Sequence, residues 1–137
     1  MLMRKPWSIS TTVRNPERLQ PFLQVLAKLE GRPFDTVTQV EYQILLIEAK
    51  LYKPQNLKPE YRAYFESATD SIPYEKAREI FQSVGYEDPP MRGRQSVNPL
   101  NKFGFAIARA GSGPIKITDL GRKFIAGDYD IGFSFLN

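Results

Sequence analysis

Apolar positions recur at helical spacing through most of the chain and switch to alternation only near its two ends. Trp7 to Val13 (W-S-I-S-T-T-V) alternates and is β-branched, which predicts a short strand or extended arm. Asn15, Pro16 and Glu17 then supply the cap, first position and acidic first turn of a helix. Its Leu19, Phe22, Leu23, Leu26 and Leu29 fall on one face, and Gly31 with Pro33 ends it. Thr38 and Glu41 have the spacing of a capping box for a second helix. Val40, Ile44, Ile47 and Leu51 line one face of that helix, with Leu45 beside them. A loop over Pro54–Pro59 leads to a third helix, Glu60–Ala68, carrying Tyr61, Tyr64 and Phe65. Ser71 and Pro73 open a fourth, with Ala77, Ile80, Phe81 and Val84 inward and Gly85 as its stop.

The last third changes character. Glu87-Asp88-Pro89-Pro90 reads as a break, and Met91–Lys102 (M-R-G-R-Q-S-V-N-P-L-N-K) is polar, basic and amide-rich, with Asn98-Pro99 able to start a short helix. Phe103–Arg109 is expected as a strand, Ala110-Gly111-Ser112-Gly113-Pro114 as a turn, and Ile115-Lys116-Ile117 as the returning strand. Thr118 caps a final helix whose first turn holds Asp119, where a negative charge suits the positive end of the helix. Leu120, Phe124 and Ile125 supply its apolar face, and Gly121 permits close packing. The fold class is therefore mainly α with a small β-hairpin. Short helix, hairpin and then I-T-D-L-G-R-K-F-I is the order that ends winged-helix domains, so a winged-helix-like arrangement, helix-turn-helix plus wing, is expected over other helix-plus-hairpin folds.

Composition narrows the chemistry. With 137 residues, 42% apolar and 25% charged, the chain has the size and make-up of one globular domain. It has neither Cys nor His, which excludes serine–histidine hydrolases, zinc hydrolases and facial-triad iron enzymes. Ile44-Leu45-Leu46-Ile47 is far too short to span a membrane, and Met1–Trp7 lacks the apolar core of a secretory signal, so a cytoplasmic chain is expected. The net charge of +4 is uneven: +3 over residues 1–30, −3 over 31–90 and +4 over 91–137. Between Arg92 and Lys123 only Asp119 opposes seven positive charges, so a polyanion is drawn to the ends of the sequence.

Two groups of residues carry candidate chemistry. Arg92, Arg94, Gln95, Asn98, Asn101 and Lys102 precede the expected wing; Arg pairs with guanine and Asn or Gln with adenine. Arg94 and Gln95 suit base contact, while Arg109 and Lys116 on the hairpin suit phosphates. Arg14, in the arm beside Trp7, is a further candidate, and Trp7 itself reads either as a core anchor or as a stacking platform. The second group is Leu46-Ile47-Glu48-Ala49-Lys50 with Asp35 upstream, which fits a Mg²⁺ nuclease motif. That motif needs strand geometry, whereas these residues fall in a capped helix, so no catalytic residue is assigned.

The run Trp7-Ser-Ile-Ser-Thr-Thr-Val-Arg-Asn-Pro-Glu-Arg-Leu19, with Pro21-Phe-Leu and Leu29-Glu-Gly31, resembles the start of the AlwI-like type IIS restriction endonucleases. Phe103-Gly104-Phe105, Gly113–Ile125 and Gly127–Gly132 are similar to the next block of that family. The resemblance implies an N-terminal helical, winged-helix-containing region that recognises a short non-palindromic DNA site. Cutting, and the Mg²⁺ it needs, would belong to a separate nuclease domain. Residues 1–130 are then expected as the double-stranded DNA-recognition domain and 131–137 as the start of a truncated following segment. As such a fragment the chain would be monomeric, non-catalytic and without a cofactor of its own. The alternative from another class is a winged-helix protein-interaction or regulatory module that binds no specific DNA.

Overall fold

The computed structural model describes residues 19–127. The expected arm, the Asn15 cap and Arg14 lie outside them, as does the segment 131–137. Six helices and one two-stranded sheet are present among the described residues, in the order α1 (Leu19–Ala27), α2 (Thr36–Glu48), α3 (Pro59–Glu66), α4 (Tyr74–Val84), α5 (Pro89–Lys102), β1 (Ala106–Ile107), β2 (Lys116–Ile117) and α6 (Asp119–Ala126). The mainly α fold with a small hairpin is thus found.

Helix α2 is the centre of the packing. It buries Tyr42 and Leu46 in one apolar cluster and Ile44 and Ile47 in another. The first cluster joins α1, α5, the hairpin and α6; Phe105 and Phe124 stack in it with ring centroids 4.3 Å apart. The second holds Leu57, Tyr61, Ile72, Ala77, Ile80 and Phe81 from α3, α4 and their loops. Each large apolar side chain so buried contributes about 1.5–3 kcal/mol. Because apolar groups are needed on both sides of α2, the single face expected for it is incomplete: Tyr42, Leu46, Gln39 and Gln43 are buried as well.

The start of α2 also differs from expectation. Asp35, not Thr38, is its N-cap, and the Asp35 carboxylate accepts the Thr38 N–H at 3.0 Å. Thr38 is therefore the third helical residue, where its amide needs an acceptor and its side chain is buried. Helix α3 runs over Pro59–Glu66, slightly offset from the expected Glu60–Ala68. Helix α4 ends as expected at Gly85, which takes a left-handed φ of 70°.

The largest correction concerns residues 87–102. Pro89 and Pro90 do not break the chain; they occupy the first turn of α5, where a missing N–H costs nothing. Pro99 does not start a helix but lies inside this one. Burial of Val97, Pro99 and Leu100 on its inner face holds the helix through a position that lacks one donor. Gly93 lies so close to α2 that an added Cβ would run into the Gln39 carbonyl.

The hairpin is shorter than expected. Phe103 caps α5 and Gly104 turns the chain at φ 78°, so the ladder is confined to Ala106 opposite Ile117 and Ile107 opposite Lys116. An isolated antiparallel bridge joins Pro33, between α1 and α2, to Pro114. Thr118 caps α6 as expected, accepting the Gly121 N–H at 3.0 Å, and a Cβ at Gly121 would strike the Phe105 carbonyl. Leu120, by contrast, is 41% exposed; Gly121 and Phe124 make the buried face instead.

Candidate nucleic-acid interface

The polar residues of α5 divide by helical position into those used inside the protein and those left outside. Gly93, Val97 and Leu100 face the core. At the flanks, Arg94 donates to the buried Gln39 Oε1 at 2.9 Å and to Asp88 Oδ2 at 3.2 Å. The Gln39 amide nitrogen in turn donates to the Phe34 carbonyl at 2.7 Å. Ser96 donates to Gln43 Oε1 at 2.9 Å, a second polar link between α5 and α2. Arg92 places its guanidinium over the Tyr86 ring, 4.8 Å from the centroid. Asn101 donates to the Ala108 carbonyl at 3.0 Å and accepts the Ala108 N–H at 2.8 Å. Arg94 and Asn101 are thus committed to holding α5 to α2 and to the hairpin, and Arg92 to the Tyr86 ring in the loop that precedes α5.

Gln95, Asn98 and Lys102 are different. All three are exposed, and their side chains have no hydrogen-bond or ion-pair partner among the described residues. Spaced three and four residues apart, they form one stripe along the outside of α5. Arg109 and Lys116 on the hairpin are likewise exposed and unpaired among those residues. No acidic residue occurs in α5.

Between α5 and the hairpin lies an open cleft of about 550 Å³. Phe34, Val97, Ala108 and Ala110 give it an apolar floor; Arg94, Asn98, Asn101, Lys102 and Arg109 surround it. The structure therefore brings Asn98, Lys102 and Arg109 to one concavity. Helix α6 adds little to it: Arg122 is spent on Glu30 at 2.7 Å, and the same carboxylate oxygen accepts the Ile117 N–H at 2.9 Å.

The glutamines that anchor this arrangement, Gln39 and Gln43, are 1% and 0% exposed and were not singled out by the sequence. Their signal is two amides one turn apart within an otherwise apolar helix.

Asp35, Glu48 and Lys50 do not converge. Asp35 caps the first turn of α2 and Glu48 is its last residue, so 13 residues, or about 20 Å of helix, separate them. Lys50 turns away in a left-handed conformation and donates to the Thr69 carbonyl at 2.6 Å and the Ser67 carbonyl at 3.1 Å. Among the described residues no group of three acidic side chains stands close enough to hold a metal ion, and no helix is long and apolar enough to cross a membrane. Compared with known proteins, the chain matches no family model, no curated protein and no solved structure.

Proposed function

We propose that this chain is a winged-helix-like domain that recognises double-stranded DNA, with α5 as the helix that enters the major groove and residues 105–117 as the wing. The order α1, the Pro33 bridge, α2, α5 and hairpin supports the winged-helix reading, with α3 and α4 inserted between its second and third helices. One observation carries the function: the exposed stripe Gln95–Asn98–Lys102, without side-chain partners among the described residues, continues across the cleft to Arg109 with no carboxylate of those residues lining it. Amides and cations arranged so suit base edges and phosphates together. The resemblance of Trp7–Leu19, Phe103–Phe105, Gly113–Ile125 and Gly127–Gly132 to AlwI-like type IIS endonucleases supports reading the domain as the recognition part of such an enzyme. Cutting by Mg²⁺ chemistry then falls to residues other than Asp35, Glu48 and Lys50, which stand apart.

Fluorescence anisotropy of a labelled random-sequence duplex tests this reading. At about 50 mM salt the protein binds, and log affinity falls linearly with log salt concentration. Lys102→Ala and Arg109→Ala each lower the slope by about one phosphate contact. Lack of binding at low salt overturns the proposal.

A further inference from the structure

From the division of polar side chains on α5 we infer that the helix reads adenine, through Gln95 and Asn98, and that Lys102 and Arg109 clamp a phosphate at its end. The inference rests on the DNA-binding reading above and gives it a specificity.

Guanine is most often read by an arginine whose planar fork meets O6 and N7 together. The arginines of α5 are not available for that. Arg94 is tied to Gln39 and Asp88, and Arg92 is stacked on Tyr86. Withdrawing Arg94 would strand the buried Gln39 oxygen, a cost that opposes its release to DNA. Of the exposed side chains that remain on α5, Lys102 stands at its end in the cleft and the other two, Gln95 and Asn98, are amides. An Asn or Gln amide offers one donor and one acceptor side by side, which matches N7 and N6 of adenine and no other base edge as well.

Their placement fits a pair of neighbouring bases. Gln95 and Asn98 are three residues apart, about 4.5 Å along the helix axis, against a rise of about 3.4 Å per base pair. Asn101, the next amide in the sequence, is excluded because Ala108 occupies both its oxygen and its nitrogen. Lys102 lies one turn beyond Asn98 and shares the cleft with Arg109. Two cations facing one concavity with no acidic lining among the described residues suit a single backbone phosphate, which would fix the register in which the amides meet the bases.

The test is selection of bound sites from a random-sequence duplex pool with the whole chain, followed by affinity measurement on the selected duplex. Adenines at neighbouring positions are expected. Replacing each by 7-deazaadenine, which lacks the N7 acceptor, should weaken binding by about 5- to 150-fold. In Gln95→Ala and Asn98→Ala, the replacement that matches the missing amide should have an effect of less than about twofold. Both positions are exposed, so unchanged melting curves confirm that the variants fold. Selected sites without adenine, or a 7-deaza effect equal in wild type and variants, overturn the inference while duplex binding stands. Failure of the pool to bind at all overturns the DNA-binding reading itself.

Discussion

Asn101 closes both hydrogen bonds that the main chain of Ala108 can make, donating to its carbonyl at 3.0 Å and accepting its N–H at 2.8 Å. One side chain at the end of α5 thereby takes the place of a neighbouring strand for the residue that follows β1. The geometry of the cleft depends on it, since Ala108 lies in the floor and Asn101 on the rim. Asn101→Ala leaves a donor and an acceptor of the buried Ala108 unpaired and should cost about 1–3 kcal/mol. Chemical denaturation measures this, and an unchanged midpoint would show that the hairpin does not need the link.

Close approach of α5 to α2 depends on Gly93. A methyl group there meets the Gln39 carbonyl, which is backbone and cannot swing aside. Gly93→Ala should therefore destabilise the fold by about 1–3 kcal/mol, although alanine favours helices more than glycine does. A rise in melting temperature would contradict the contact.

Arg94 separates readout from structure. If it holds Gln39 and not a base, Arg94→Ala costs about 1–2 kcal/mol of stability, mostly from the buried Gln39 bond and little from the exposed Asp88 pair. At temperatures where the variant is folded, its preference among duplex sequences should match wild type. Loss of preference with stability intact would instead make Arg94 a base-contacting residue.

Acid stability has an assignable origin. The Thr38 amide and hydroxyl hold the Asp35 carboxyl below its ordinary value of 3.8, and the Tyr61 hydroxyl, with help from Lys76, holds Glu79 below 4.5. Both groups bind protons more weakly when folded. Their contribution is full above about pH 5 and is lost as pH falls through the lowered folded values. Asp35→Asn still accepts the Thr38 N–H but does not titrate, so its stability should fall less steeply below pH 4 than wild type. Parallel curves would remove Asp35 from the account.

The helices were legible because their apolar periods and stops are local: Gly85 ends α4 and Thr118 caps α6 as their residue types require. Residues 87–102 misled for an equally physical reason. Proline lacks a donor, so Pro89, Pro90 and Pro99 read as punctuation, whereas the first two fill an N-terminal turn and the third is carried by burial beside Val97 and Leu100. The candidate interface was legible in its residue types alone. Which of them remain free depends on partners far along the chain, such as Gln39, 55 positions before Arg94, and Ser96 against Gln43. Asn98 and Asn101 look equivalent in sequence, and only the packing of the hairpin distinguishes the exposed amide from the occupied one.

The most direct test of the DNA-binding account is backbone amide chemical-shift mapping while an excess of short duplex is titrated into the protein. The largest shifts are expected at Gln95, Asn98 and Lys102 on α5 and at Arg109–Lys116 on the hairpin, with α3 and α4 little affected. Shifts centred on α3 and α4, or none at all at low salt, would contradict it.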